Sequence, residues 1–231
     1  MKKRIKIHGF LIFLAVSAIL VFPDIFLRDT GGGFSDEILA IVGIALVLLG
    51  QLFRLSSRGF KSELSRNGAA LVESGPYSFV RNPMYLGIIL IGSGLVMVIF
   101  KWWAICAFLL IFGLIYIRLI FQEEKKLIQL FPVAYPTYKA KVPAIVPSLK
   151  MLAQTEVSSY LPLKYSWLKR EIGSISGVLI FILLVRSWEN MRAGGYILCL
   201  ERFVALLFMI FLAAGLAAYL IRKTDAVAKN S

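Results

Sequence analysis

Histidine and cysteine are nearly absent from this 231-residue chain, which contains one histidine, His8, and two cysteines, Cys106 and Cys199. This histidine lies at the entry of the first apolar stretch, which argues against a Ser-His-Asp triad or a Cys-His pair, and a single histidine excludes metal sites built from several imidazoles. Both cysteines lie in or beside apolar stretches without a pairing framework, so we interpret them as small buried hydrophobes. The sequence therefore predicts no metal site and no redox role for the cysteines.

Charged residues are also scarce, at 17% of the chain, whereas hydrophobic residues make up 59%. A membrane-spanning helix needs about 20 mostly apolar residues. Six stretches meet or approach this length: His8–Leu27, Ile38–Leu55, Met84–Phe100, Trp102–Phe121, about Ile172–Trp188 and Leu200–Ile221. The first stretch lacks a small-residue cleavage site, which favours a retained helix over a signal peptide. The predicted fold is all-α, a polytopic transmembrane helical bundle of about six spans.

Acidic residues are few beside the basic ones, 13 against 26, which gives a net charge of +13. With six spans and the N-terminus inside, most of the basic residues fall on the inner side of the membrane. This asymmetry predicts a multi-pass protein of a bacterial inner membrane with both termini in the cytoplasm. The positive charge then indicates topology and contact with anionic lipid headgroups, not nucleic-acid binding.

Three parts are predicted along the chain. An N-terminal helix pair with an inner loop occupies residues 1–67, and an interfacial segment with a C-terminal helix pair occupies residues 149–231. Between them, residues 68–148 form a core that contains a motif loop, a helical hairpin, an acidic pair and a strap. In the third part, Tyr165, Trp167, Lys169 and Arg170 predict an anchor at the membrane interface.

The third and fourth spans are separated only by Lys101 and its neighbours, which predicts a tight antiparallel hairpin. Proline fits the first turn of a helix, so Asn82-Pro83 starts the third span. At about 1.5 Å per residue, the arms from Pro83 to Lys101 and from Lys101 to Glu123 are roughly 27 and 33 Å long. They return the chain to nearly the same depth. One cytoplasmic mouth is therefore predicted to gather Arg81, Asn82, Tyr85, Glu123 and Glu124.

Two adjacent carboxylates near lipid are costly unless a cation meets them. One interpretation is that Glu123 and Glu124 form headgroup-level salt bridges with Arg81, Lys125 or Lys126. The other is that they hold a cationic or hydroxyl-rich ligand, such as S-adenosylmethionine. In that case Arg81 offers a fork for the carboxylate of the ligand.

The third span contains several glycines, of which Gly87 and Gly94 are seven residues apart and share a face. Small residues in membrane helices usually indicate close helix packing. The alternative is that Gly92 and Gly94 leave room for a cofactor between the third and fourth helices. Tyr77 and Tyr85 could offer ring faces to a sulfonium or an adenine.

Residues 75–87 read Gly-Pro-Tyr-Ser-Phe-Val-Arg-Asn-Pro-Met-Tyr-Leu-Gly. They resemble the Gly-Pro-Tyr…Arg-His-Pro-x-Tyr-x-Gly motif of the isoprenylcysteine carboxyl methyltransferase and phospholipid methyltransferase superfamily. A second motif of that family, Glu-Glu-x-x-Leu…Phe-Gly…Tyr-x-x-Tyr…Val-Pro…Pro, is similar to the stretch from Glu123 to Pro147. Order, spacing and the intervening hairpin agree over about residues 68–148.

The resemblance implies an integral-membrane enzyme that uses S-adenosylmethionine on the cytoplasmic side and takes a lipid-like acceptor from the bilayer. By the same resemblance, the candidate catalytic residues are Arg81, Glu123 and Glu124. The positions that match the cofactor pocket of the family are Tyr77, Arg81, Asn82, Pro83, Tyr85, Gly92, Gly94, Glu123 and Glu124.

Two departures from the family pattern stand out. Asn82 replaces the usual histidine, and an amide can donate and accept hydrogen bonds but cannot titrate. A proton shuttle is therefore not expected at this position, whereas contact with the cofactor is. Pro132 stands where glycine is usual, which is expected to alter only a turn. Roughly the last 80 residues match nothing in the family pattern, so the acceptor is unassigned.

The predicted function is methyl transfer to a lipid-like or prenylcysteine-like carboxylate acceptor, with membrane lipids or a lipidated acceptor as partners. Three alternatives stay open: phospholipid amine N-methylation, a membrane reductase of similar fold, and an inactive scaffold. Two carboxylates at the mouth argue against the reductase, because they would repel the phosphates of a dinucleotide. Asn82 is the residue that gives the scaffold weight.

Overall fold

A computed structural model describes residues 21–28, 34–65, 70–147, 160–193 and 196–230. An isolated antiparallel bridge joins Leu27 and Phe100. The predicted all-α fold is confirmed for the described residues. Their helices are α1 (Pro23–Phe26), α2 (Phe34–Leu64), α3 (Pro76–Phe79), α4 (Pro83–Ile99), α5 (Trp103–Leu130), α6 (Ala134–Lys141), α7 (Tyr165–Ala193) and α8 (Tyr196–Asn230).

Two of the described helices are long and apolar enough to cross a membrane, Glu37–Leu64 within α2 and Trp103–Leu130, which is α5. Two shorter apolar helical segments are Pro83–Ile99, which is α4, and Leu207–Arg222 within α8. The number of about six spans therefore stays a prediction beyond these two. Most of the first predicted span, residues 8–20 of His8–Leu27, lies outside the described residues.

Glycines bring α2 and α4 into direct backbone contact. Gly43 and Gly50 of α2 lie against Gly94 and Gly87 of α4, in antiparallel order. A Cβ added at Gly50 would lie 2.7 Å from the carbonyl oxygen of Gly87, and one at Gly43 would lie 2.8 Å from that of Gly94. No side chain fits at these distances, so the two helices can approach this closely only because the positions are glycine.

One face of α5 carries residues four apart that turn toward the rest of the protein. Phe112, Ile120 and Glu124 are buried on this face, and the rings of Phe112 and Tyr116 stack with centroids 3.9 Å apart. Phe108, on the same face, lies against Gly92 of α4. The opposite side of α5 is largely exposed and apolar, as expected for a helix that faces lipid.

The fourth predicted span ends at Phe121, but α5 continues without interruption to Leu130. The acidic pair therefore lies inside a helix and not at its end. The physical reason is that neither glycine nor proline occurs between Phe121 and Leu130, and the first helix breaker is Pro132. The chain then turns, forms α6 and continues as an extended strap, residues 142–147.

The burial of two side chains differs from the prediction. Trp167, expected at the membrane interface, is only 2% exposed and its ring lies over Gly59 of α2. Cys106, expected to be buried, is exposed on α5; the side chain of Cys199 lies outside the described residues. Helical wheel position decides both cases, because Trp167 and Cys106 lie in helices whose faces differ in burial.

The division into three parts stays a prediction. One hydrophobic cluster nevertheless contains residues from all three of them, including Leu52, Phe79 and Leu161. The parts therefore share a core in the described structure.

Candidate functional site

A tight turn presents the first motif. Gly75 has a φ of 58°, a left-handed conformation that favours glycine. Pro76 then starts the single helical turn α3, where its fixed φ and missing N–H are tolerated. Val80 ends this turn in an extended conformation, and Pro83 starts α4, as predicted from Asn82-Pro83. The motif is thus a one-turn helix followed by an extended link, residues 80–82, into a long helix. We call residues 80–82 the motif link.

Arg81 in this link binds Glu124 of α5. Its Nε and Nη2 donate to the Oε1 atom of Glu124 at 3.1 and 2.8 Å, and the other carboxylate oxygen accepts from Lys139 Nζ at 2.7 Å. Glu124 is only 4% exposed. Two cations therefore neutralise this buried carboxylate, which is the condition under which burying a charge is tolerated.

Arg81 also connects the strap to the motif link through hydrogen bonds. Its Nη1 donates to the carbonyl oxygens of Lys139 and Val142 at 2.8 and 2.6 Å. Together with the bonds to Glu124, these interactions occupy most of the five N–H groups of the guanidinium. Arg81 thus joins the motif link, α5, α6 and the strap.

Backbone pairing holds the same two elements together. The N–H groups of Arg81 and Asn82 donate to the carbonyl oxygens of Pro143 and Ala144 at 2.8 and 3.0 Å. The side-chain Nδ2 of Asn82 donates to the carbonyl oxygen of Ala144 at 3.2 Å. Asn82 therefore serves as a hydrogen-bond donor to the strap, a task that does not require a titratable side chain.

Glu123 lies in different surroundings from Glu124. It is exposed, its carboxylate interacts with the hydroxyl of Tyr85, and its charge acts on Tyr77. Within the described parts of the chain, no lysine or arginine lies within ion-pair distance of Glu123. The ring of Tyr85 meets that of Tyr116 edge-on, with centroids 5.3 Å apart. Glu123 and two tyrosines thus form the open side of the mouth.

Buried tyrosines surround the closed side. The hydroxyl of Tyr138 donates to the carbonyl oxygen of Tyr77 at 2.6 Å. Burial, reinforced by the charge of Glu124, raises the pKa of Tyr135 to about 12. Burial also raises the pKa values of Tyr77 and Tyr138 above the ordinary range. These hydroxyls therefore stay protonated at neutral pH and act as hydrogen-bond donors.

The glycines of α4 divide between two neighbours. Gly94 faces the backbone of Gly43 in α2, which corresponds to the helix-packing interpretation. Gly92 faces the ring of Phe108 in α5, on the seam between α4 and α5. Of the two, Gly92 alone lies on the side where a cofactor was predicted.

Sequence reasoning missed Lys139 and Ala144. Lys139 is one of many inner-side lysines, so nothing in its local sequence singles it out as the partner of Glu124. The carbonyl oxygen of Ala144 has no side-chain signature at all. Only the folding of α6 and the strap back onto α5 brings these groups to Glu124 and Asn82.

Known proteins match the segment that carries this site. Residues 38–133 match the family model described as phospholipid methyltransferase. Protein-S-isoprenylcysteine O-methyltransferase of Saccharomyces cerevisiae (strain ATCC 204508 / S288c) is 28% identical over 166 residues. Both matches support the isoprenylcysteine carboxyl and phospholipid methyltransferase superfamily. No solved structure matches the chain.

The superfamily match confirms the resemblance predicted from the two motifs. The family model covers the glycine contact between α2 and α4, the motif link and the acidic pair, and it ends at Val133. The alignment with the yeast methyltransferase covers 63% of this chain and 64% of that protein. Lys139, the strap, α7 and α8 follow the segment matched by the family model.

Proposed function

We propose that this chain is an integral-membrane methyltransferase of the cytoplasmic face of a bacterial inner membrane. Its donor is S-adenosylmethionine, and its acceptor is a lipid-like or prenylcysteine-like carboxylate. The observation that carries the proposal is the division of the acidic pair. Glu124 is neutralised by Arg81 and Lys139, whereas Glu123 presents an open carboxylate beside Tyr85 at the motif that the superfamily shares.

The open side of the mouth suits the chemistry of this donor. The carboxylate of Glu123 can accept hydrogen bonds from an amino group or a ribose diol, and it attracts positive charge. The ring of Tyr85, beside Glu123, can attract a cation through its π electrons. When bound, S-adenosylmethionine supplies an electrophilic methyl group on a sulfonium. These side chains bind and orient the donor, which is the main requirement of an in-line displacement.

Arg81 and Glu124 have a positioning role in this proposal. Most N–H groups of Arg81 already bind Glu124 and two carbonyl oxygens, so a bidentate grip on a ligand carboxylate would require the pair to open. Their pairing fixes the link that carries Asn82 and leads into α4. Pro83 defines the start of that helix, and the carbonyl oxygen of Tyr77 accepts a hydrogen bond from Tyr138 of α6.

The protonation chemistry of the mouth supports a carboxylate acceptor. A carboxylate acceptor is already ionised at neutral pH and needs no base. An amine acceptor would have to lose a proton, which Asn82 cannot take and for which Glu123 is the open carboxylate of the mouth. The amine alternative is kept because the matching family is described as phospholipid methyltransferase.

Calorimetry with the detergent-purified full chain tests the donor. We expect S-adenosylmethionine to bind and Glu123→Gln to weaken this binding strongly. Glu37→Gln is the control: Glu37 is exposed near the start of α2, and this change should leave binding unchanged. Absence of binding to the folded wild-type protein would overturn the proposal and favour the reductase or the scaffold.

Transfer of a labelled methyl group to a lipid extract and to a prenylcysteine tests the acceptor. A product that releases its label as methanol in mild base is a methyl ester and supports the carboxylate acceptor. A base-stable product is N-methylated and overturns that part of the proposal in favour of the phospholipid amine.

A further inference from the structure

The apolar side of the motif link is covered by the third part of the chain. Phe79 and Val80, the two residues before Arg81, are 4% and 0% exposed. They belong to one hydrophobic cluster with Leu161 and Leu163. These last two residues come after the strap and beyond the segment matched by the family model.

Two aromatic rings pack against that of Phe79. Its ring centroid is 4.9 Å from that of Tyr160 and 5.9 Å from that of Phe53, on which it is stacked. Phe53 is a residue of α2, whereas Tyr160 precedes α7. The position of Phe79, two residues from Arg81, therefore depends on where Tyr160 is held.

Hydrogen bonds and an ion pair connect the segment that follows Tyr160 to α2. Ser56 Oγ donates to the carbonyl oxygen of Pro162 at 2.6 Å. Trp167 Nε1 donates to one carboxylate oxygen of Glu63 at 2.7 Å, and Lys164 Nζ binds the other at 2.5 Å. The buried indole thus has its single N–H satisfied, as buried polar groups require.

Close packing and an ion pair extend the attachment. A side chain at Gly59 would overlap the ring of Trp167, so the indole can pack against α2 here only because residue 59 is glycine. Arg58 Nη1 binds Glu171 Oε1 at 2.7 Å one turn further along α7. We call residues 160–171 the brace.

Two elements therefore hold the motif link through different kinds of contact. The strap binds Arg81 and Asn82 through hydrogen bonds, and the brace packs on Phe79 and Val80 through apolar contacts. We propose that the brace is a positioning element of the methyltransferase site, one that fixes the motif link and thereby the start of α4, which carries Tyr85. This inference rests on the proposed function, because it assigns a role in that same site.

Hydrogen exchange of the full chain in detergent, without any ligand, tests the brace directly. The backbone N–H groups of Val80, Arg81 and Asn82 are hydrogen-bonded, so loosening of the link exposes them. In Tyr160→Ala and Trp167→Phe we expect exchange in residues 77–82 to rise about tenfold or more. Tyr165→Ala, an exposed residue of the brace, is the matched control and should leave the exchange unchanged.

Donor binding and kinetics then test the role of the brace in the site. We expect Trp167→Phe to weaken S-adenosylmethionine binding and raise its KM by about tenfold, because a small misplacement of binding groups has effects of this order. Glu63→Gln keeps an oxygen acceptor for the indole N–H and should retain most of the affinity, unlike Glu63→Leu.

The outcomes separate the two proposals. Unchanged exchange in both Tyr160→Ala and Trp167→Phe overturns the brace, even when the wild-type protein binds the donor. Faster exchange with unchanged donor affinity overturns its positioning role. Faster exchange in a protein that never binds the donor overturns the proposed function instead, and the assignment of the brace to that function with it.

Discussion

Glu123 and Glu124 are neighbours in α5 but lie in opposite surroundings, Glu124 buried between two cations and Glu123 exposed beside Tyr85. Successive residues of an α-helix are rotated by about 100°, so these two adjacent side chains point in different directions. The acidic pair of the motif therefore has one structural member and one member that is open to a ligand.

The two glutamates should differ in their effect on stability. Glu124→Gln removes the charge that pairs with Arg81 and Lys139, and breaking a buried ion pair in this way costs about 3 kcal/mol of unfolding free energy. Glu123→Gln should change it by no more than about 0.5 kcal/mol, as at other surface positions. Denaturant unfolding in detergent measures both. Equal losses in the two variants would contradict the division.

Asn82 should be replaceable by another hydrogen-bond donor. Asn82→His keeps an N–H that can reach the carbonyl oxygen of Ala144, so S-adenosylmethionine binding and activity should be retained. Asn82→Leu cannot donate and should lose about 1 kcal/mol of stability together with affinity for S-adenosylmethionine. Calorimetry on both variants decides the matter. If Asn82→Leu binds as well as the wild type, the bond to Ala144 has no role in the site.

Gly94 should not tolerate a methyl group, because its Cβ would meet backbone atoms of Gly43 and Val47. We expect Gly94→Ala to separate α2 from α4 and to destabilise the protein by about 1–3 kcal/mol, as overpacking does. Gly113→Ala on α5 is the matched control, since the nearest atom to its Cβ is Ile117 Cδ1 at 4.0 Å. Thermal unfolding should separate the two variants. A Gly94→Ala protein as stable as Gly113→Ala would refute the backbone contact.

Alkaline pH should destabilise the packing of α6. The pKa of Tyr135 rises from its ordinary value near 10 to about 12 on folding, so the folded state binds the proton more tightly. The stability due to this group is complete below pH 10 and is lost as the pH rises toward 12. Tyr135→Phe should flatten the fall of unfolding free energy in that range, whereas the exposed Tyr165→Phe serves as the control. An identical alkaline slope in wild type and Tyr135→Phe would argue against burial as the cause.

Some of the site was predictable because it depends on local rules. Proline at the first helical turn placed the start of α4 at Pro83, and the spacing of the two apolar arms predicted that Arg81 and the acidic pair would meet. The pairing of Arg81 with Glu124 was one of two interpretations left open. Local rules could not choose between them, because both place a cation near the acid.

Other features depend on how distant segments fold together. The burial of Trp167 requires Gly59 and Glu63 of α2, about a hundred residues earlier, so a local reading assigned this tryptophan to the membrane interface. Lys139 meets Glu124 only after the turn at Pro132 reverses the chain. The extra turns of α5 beyond Phe121 were missed because a span was equated with its apolar run.

By itself, the sequence determined that this protein is helical and apolar, that one histidine excludes metal sites built from several imidazoles, and that its motifs resemble those of a methyltransferase superfamily. These conclusions rest on composition and spacing, which need no knowledge of distant contacts. Only the tertiary structure decided which glutamate is closed and which is open, and which glycine packs against α2. It alone joined the brace to the motif link, because burial and pairing arise when segments far apart in the chain come into contact.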